Sequence, residues 1–154
     1  MSNGLPPDID DTTIPDSELL YIRVFPDADS LIFDQSLQAC RPTSGALKSR
    51  EQPLSVDLES ICTPHQTRDR DKSFPFHVAA FTAGTARKYD CRVVRDPIPK
   101  GRNEPENPAH ALVFGNNENG SGGLIPKSQS KKIAYESQIV LFNENAPWPK
   151  GGLL

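Results

Sequence analysis

Fifteen prolines punctuate this chain of 154 residues, and their spacing constrains the fold more than any other feature. They stand at 6, 7, 15, 26, 42, 53, 64, 75, 97, 99, 105, 108, 126, 147 and 149, so hardly any window accommodates a long uninterrupted helix. Proline lacks the amide donor that a helix interior needs, its ring collides with the preceding turn, and it biases the residue before it towards extended backbone. A helical bundle, a coiled coil and a solenoid of helix pairs are therefore excluded. Many of the prolines close short apolar runs, as at 26, 53, 97, 108 and 126, where they act as punctuation between strands and turns. The fold class that satisfies this pattern is α+β: a small mixed or antiparallel sheet of short strands with one main C-terminal helix.

The runs themselves carry the periodicity. Residues 19–25 are β-branched and aromatic and stop at Pro26-Asp27; alternation puts Leu20, Ile22 and Val24 on the core side. Residues 31–33 read as a short strand or turn. Leu54–Leu58 alternates strictly, with Leu54, Val56 and Leu58 inward and Ser55 and Asp57 outward. Residues 76–88 fit either a strand or a helix, since Phe76, Val78 and Ala80 alternate while Val78–Phe81 with Ala83 and Ala86 suit a helix. Gly84 weakens the helix, which favours a strand at His77–Thr82 followed by a helical turn through Lys88. Residues 91–95 form a strand stopped by Asp96-Pro97, and residues 109–115 another. The best helix spans 127–142, because Ile133, Ala134, Ser137, Val140 and Leu141 recur on one helical face. Residues 38–50, 67–72, 99–108 and 116–123 read as loops. Residues 1–16 are expected to be a disordered acidic arm, 17–144 a single domain, and 145–154 a flexible Pro/Gly tail.

Composition narrows the function classes. A hydrophobic fraction of 36% is low, but the deficit is concentrated in the polar segments 1–16, 67–72, 99–108 and 116–123, leaving enough for one modest core. The net charge of −3 disfavours a dedicated nucleic-acid binder, although residues 41–50 and 127–132 are locally basic. There is no run of 18 apolar residues, so no membrane span is expected, and residues 1–16 lack the apolar stretch of a secretory signal. Three cysteines, Cys40, Cys62 and Cys91, lie at wide, irregular spacing with no CxxC pair. They read as reduced thiols of a cytoplasmic protein, with no metal site and no cofactor.

Candidate chemistry rests on few residues. His110 stands at the start of a strand after a proline-stiffened loop, where catalytic groups are often presented. His77 lies in an apolar run and reads as structural, and His65 reads as exposed. Ser55 and Asp57 share one strand face and, with His110, offer the ingredients of a Ser–His–Asp hydrolase, outside any GxSxG context. Arg41 and Ser44, in Arg41-Pro42-Thr43-Ser44, combine a guanidinium and hydroxyls on a turn, a donor set for carboxylate or phosphate. Lys127-Ser128 ends like a phosphate-binding loop, but Pro126 removes a backbone donor and Ser121 replaces the first glycine. Trp148, between two prolines, reads as a rigid aromatic anchor for a partner. Gly151-Gly152 is followed by Leu153-Leu154, unlike the free end of a ubiquitin-like modifier.

Two resemblances follow from these residues. Arg23 on the first strand and Ser55 on a later one resemble the arginine and serine that hold a dinucleotide in ADP-ribosyl-transferase-like folds. The Ser-Thr-Ser triplet and late catalytic glutamate of those folds are missing, since Glu136 falls on the expected helix. Arg41-Pro42-Thr43-Ser44, Leu54-Ser55-Val56-Asp57, Asp96-Pro97 and Asn107-Pro108-Ala109-His110-Ala111 occur in an order that resembles small uncharacterised bacterial proteins, over residues 19–141. That resemblance implies a bacterial cytosolic protein encoded beside a larger protein partner, and it carries no activity. The favoured expectation is a non-catalytic protein-interaction or accessory module, of the defence- or toxin-associated kind, gripping its partner with the acidic arm and Trp148. The alternative is a small hydrolase or ADP-ribosyl-transferase-like enzyme acting on a phosphate-bearing or nucleotide substrate through Arg41, Ser55, Asp57 and His110.

Overall fold

The first apolar run becomes strand β1, Leu19–Val24, in the computed structural model, which describes residues 8–47, 53–101, 105–115 and 123–146. A hairpin of β2 (Leu31–Asp34) and β3 (Ala39–Pro42) follows, then a 3-10 turn at Ser44–Leu47 and β4 (Leu54–Leu58). Helix α1 (Pro64–Asp69) leads to β5 (His77–Thr82), α2 (Ala83–Lys88), β6 (Arg92–Arg95) and β7 (His110–Phe114). Helix α3 (Lys127–Tyr135) and strand β8 (Gln138–Leu141) complete the order. Six strands form one sheet in the order β6-β7-β4-β1-β5-β8, with every neighbouring pair antiparallel. The β2–β3 hairpin is a separate two-stranded sheet. The α+β class is therefore an antiparallel one, and α3 is its main C-terminal helix.

Alternation decides which face is the core. Leu20, Ile22 and Val24 of β1, Leu54, Val56 and Leu58 of β4, Phe81 of β5, Val93 of β6 and Val113 of β7 join one buried cluster. Ala83 and Ala86 of α2, Ile133 and Ala134 of α3, and Leu31 and Leu47 cover them. Each fully buried leucine or valine contributes about 1.5–3 kcal/mol relative to exposure. The opposite face is only partly covered. Tyr21, Val78 and Ala80 form one small cluster there, and Val94, Leu112 and Phe114 another. Between them Ser55 and Asp57 of β4, Arg23 of β1 and His110 of β7 make a polar strip.

Four expectations are corrected. The helix expected over 127–142 ends at Tyr135, and residues 138–141 are instead the edge strand β8, paired with β5. The helical end is closed by Glu136 N–H to Ile133 O at 3.0 Å, Ser137 N–H to Ala134 O at 3.1 Å, and Ser137 Oγ to Ile133 O at 2.7 Å. Beyond it the β-branched pair Ile139 and Val140 suits a pleated edge, and Val140 and Leu141 pack on the opposite face against Tyr21, Val78 and Ala80. The stretch 38–50 is not all loop, since it carries β3 and the 3-10 turn. Part of 67–72 is the end of α1, whose start is a reciprocal capping box between Thr63 and Gln66 with Pro64 in the first turn.

The fourth correction concerns the acidic arm. Residues 8–16 pack along β6: Asp11 N–H donates to Val93 O at 2.8 Å, and Asp10 Oδ1 accepts from Val93 N–H at 2.9 Å. Asp8 pairs with Arg92 at 2.6 Å, Asp10 and Asp16 with Arg87 at 3.1 and 2.7 Å, and Asp11 with Arg95 at 3.4 Å. Ile14 is 1% exposed and lies in the core. The acidity that suggested disorder is matched to arginines distant in sequence, and the segment covers an otherwise open sheet edge.

Candidate functional site

The site begins where the sheet parts. Strands β1 and β4 pair through Leu20–Leu58 and Tyr21–Asp57, and the described register goes no further. Past that point each strand stays bound to its other neighbour, β1 to β5 and β4 to β7. The result is a fork with Ile22, Arg23 and Phe25 on one prong and Leu54, Ser55 and Val56 on the other. A cavity of about 770 Å³ occupies it, extended by Thr67 and Arg70 above and by Ile98, Asn107 and His110 beyond β4. Its size is in the range of small-molecule pockets, about 300–1,000 Å³.

Asp57 is the anchor of this region. It is 4% exposed. Oδ2 accepts from Thr67 Oγ1 at 2.7 Å and Arg70 Nε at 2.9 Å, and Oδ1 accepts from Asn107 Nδ2 at 2.9 Å. Burial by itself raises its pKa, but the hydrogen bonds from Asn107, Thr67 and Arg70 outweigh burial and hold it below the ordinary value of 3.8. Asn107 is in turn fixed by accepting from Ala109 N–H at 3.1 Å. One carboxylate thus ties α1 and the segment before β7 to the sheet. Cys62 Sγ lies 3.2 Å from Thr67 Oγ1 and is buried in the same cluster.

His110 is held from the other side. Its Nδ1 lies 2.9 Å from Asp96 O and 3.2 Å from Asp96 Oδ2. Both are acceptors, so Nδ1 carries a proton, and in that tautomer Nε2 is the acceptor nitrogen of the ring. No hydrogen bond from a described residue occupies Nε2. The expected pairing of His110 with Asp57 is corrected: the two are cross-strand neighbours, but the ring turns to Asp96 while Asp57 is taken by α1 and Asn107.

The remaining sequence candidates divide. Ser55 is exposed on the same strand face as Asp57 and lines the cavity with Arg23 and His110. Arg23 is exposed, donates from Nη1 to Thr67 O at 3.3 Å and lies 5.8 Å from the Phe76 ring centre. Arg41 and Ser44 do not join them. Arg41 bonds Asp34 at 2.8 Å and sits 4.1 Å over the Tyr135 ring, and its side chain is 11% exposed. It is a packing and pairing residue of the hairpin. Ser44 opens the 3-10 turn, from which Ala46 rather than Ser44 reaches the cavity. His77 is buried, its Nδ1 accepting from Asn143 N–H at 2.9 Å, and His65 is exposed on α1. Glu136 pairs with Lys88 at 2.6 Å and bonds the Tyr89 hydroxyl, remote in role from Arg23 and Ser55. Trp148 and Gly151-Gly152 lie outside the described residues.

Sequence reasoning overlooked Thr67, Arg70, Asn107 and Asp96. The Thr63–Gln66 capping box and Pro64 announce the helix that carries Thr67, and Asn107-Pro108 marks a turn able to aim an amide inward. Asp96 had no local signal beyond its own Asp-Pro turn, because its partnership with His110 arises from the β6–β7 register. The chain has no significant match to a protein-family model, a curated protein or a solved structure. Among the described residues no helix is long and apolar enough to cross a membrane, and no group of three or more His, Cys, Asp or Glu is placed to hold a metal ion.

Proposed function

We propose that this protein binds a small organic ligand in the fork between β1 and β4, a compound with a flat body and an anionic group. The observation that carries this reading is the convergence of Arg23, Ser55, Asn107 and His110 on one cavity beside the aromatic rings of Tyr21, Phe25 and Phe76. The exposed Arg23 guanidinium spends one described hydrogen bond on a carbonyl and keeps further donors for an anion. Phe25 and Phe76, whose ring centres lie 5.0 Å apart, line the cavity and offer ring surface beside it. Nucleoside monophosphates represent the class. Calorimetric titration with AMP is expected to give saturable binding that Arg23→Ala weakens tenfold or more; no heat with AMP or with a panel of flat carboxylates overturns the reading.

This order reverses the one drawn from sequence, because residues 8–16 of the acidic segment are engaged along β6 by their own ion pairs. A partner-binding module is the second reading, supported by the exposure of Phe25 and Phe74, 44% and 51%. Its partner is a larger protein, and nucleic acid is not favoured at this net charge. Phe74→Ser is expected to lower recovery of that partner from a bacterial host while leaving AMP binding unchanged. Three buried cysteines at wide, irregular spacing support a reducing, cytoplasmic setting, and the bacterial setting rests on the motif resemblance.

A further inference from the structure

The geometry points to a hydrolytic centre in this cavity, with Ser55 as nucleophile, His110 as general base and Asp96, in place of Asp57, as the positioning residue. The inference rests on the ligand-binding reading of the cavity and adds a reaction to it.

Three observations support it. First, His110 Nδ1 hydrogen-bonds the Asp96 carbonyl at 2.9 Å, which selects the Nδ1–H tautomer, and the Asp96 carboxylate lies 3.2 Å from the same nitrogen. That leaves the opposite nitrogen as proton acceptor, the arrangement a general base requires. Second, Ser55 pairs with Leu112 and Asp57 with His110, so Ser55 and His110 are diagonal neighbours on one face of β4 and β7. Such neighbours are about 7–8 Å apart at the backbone, a span that a serine and an imidazole ring together bridge with at most one intervening atom. Third, Ser55 and His110 both line the cavity, and Asp57 does not compete for the ring because three donors already hold its carboxylate. Asp57 keeps α1 over the fork and thereby shapes the chamber.

The substrate class is a carboxylic ester of a small flat compound, its acyl carbonyl placed between Ser55 and His110. Ser55 Oγ bonds to the carbonyl carbon as its proton passes to His110 Nε2. The ester C–O bond then breaks, and the departing alkoxide takes that proton to leave as the alcohol. Water attacks the acyl-serine, giving its proton to Nε2. The acid departs as Ser55 recovers the proton. Atoms and charge balance with water as the only co-reactant.

The probe is 4-nitrophenyl acetate, with release of 4-nitrophenol followed by absorbance and the protein mass followed by spectrometry. The native chain is expected to show a burst of 4-nitrophenol and an acetyl adduct on Ser55. Ser55 is exposed, so Ser55→Ala keeps the fold and is expected to lose both. His110→Gln, which retains a donor for the Asp96 carbonyl, is expected to lower kcat by about 100-fold or more. Asp96→Asn is expected to lower kcat with KM unchanged, which a merely loosened hairpin would not do. An adduct on another residue, or turnover that survives Ser55→Ala, overturns the inference. AMP binding without any esterase turnover overturns the hydrolytic inference and leaves the ligand-binding reading standing. Absence of both removes the two together.

Discussion

Replacing Asp57 by alanine removes the carboxylate on which α1, the fork and the segment before β7 converge. Asp57 is 4% exposed, and the substitution strips three donors of their acceptor: Thr67 Oγ1, Arg70 Nε and Asn107 Nδ2. Breaking a buried ion pair by deleting one partner costs about 3–5 kcal/mol, because the other charge stays behind uncompensated. The Arg70 side chain is 24% exposed and recovers part of its hydration, which lowers its share. Thr67 is 2% exposed and cannot turn to water, so its hydroxyl adds about 1–3 kcal/mol. A net loss of about 3–4 kcal/mol is expected, read from urea unfolding by linear extrapolation. For a chain of this size that is a fall in Tm of roughly 6–16 °C. The double variant with Arg70→Met is expected to lose less than the sum of the two single changes. A loss below about 1 kcal/mol, or strict additivity with Arg70→Met, would refute the view that this carboxylate is architectural. The pH dependence has a definite sign. The folded pKa of Asp57 lies below 3.8, so its contribution is complete above the unfolded value and disappears as pH falls through the folded one.

Ile14→Ala tests whether residues 8–16 belong to the domain. At 1% exposure the truncation is expected to cost about 2–5 kcal/mol in urea unfolding, whereas a free arm would cost nothing. Asp34 gives an acid-limb test: the Arg41 hydrogen bond, then that of Ser36, brings its pKa down from 3.8 to about 2. Its stabilising contribution is present above 3.8 and is lost as pH falls towards 2. Arg41→Met is expected to move the Asp34 carboxyl titration, followed by NMR, back up towards 3.8, and an unmoved titration would contradict the pairing.

How much of this was legible depends on the distance over which each signal acts. The β1 core face of Leu20, Ile22 and Val24 was readable because period-two alternation is local, whereas residues 76–88 fitted strand and helix alike until pairing with β1 and the Thr82 cap of α2 divided them. The 127–142 periodicity misled because Ser137, Val140 and Leu141 fit a helical face and an edge strand equally well. Pairing with β5 decided between them. Among the candidates, Arg23, Ser55 and His110 were chosen by chemistry alone, and all three line one cavity. Arg41 was chosen on the same grounds and is consumed by Asp34 and Tyr135, partners that local motif reading does not disclose.

The amino-acid sequence by itself determined the fold class and the short strands, since proline spacing forbids long helices and alternation marks inner and outer faces without reference to distant residues. Only the tertiary structure decided that β1 and β4 part after Tyr21–Asp57, that Asp96 rather than Asp57 holds His110, and that the acidic segment packs on β6. Strand register and ion pairing couple residues tens of positions apart, and they are settled when the whole sheet closes its hydrogen bonds at once.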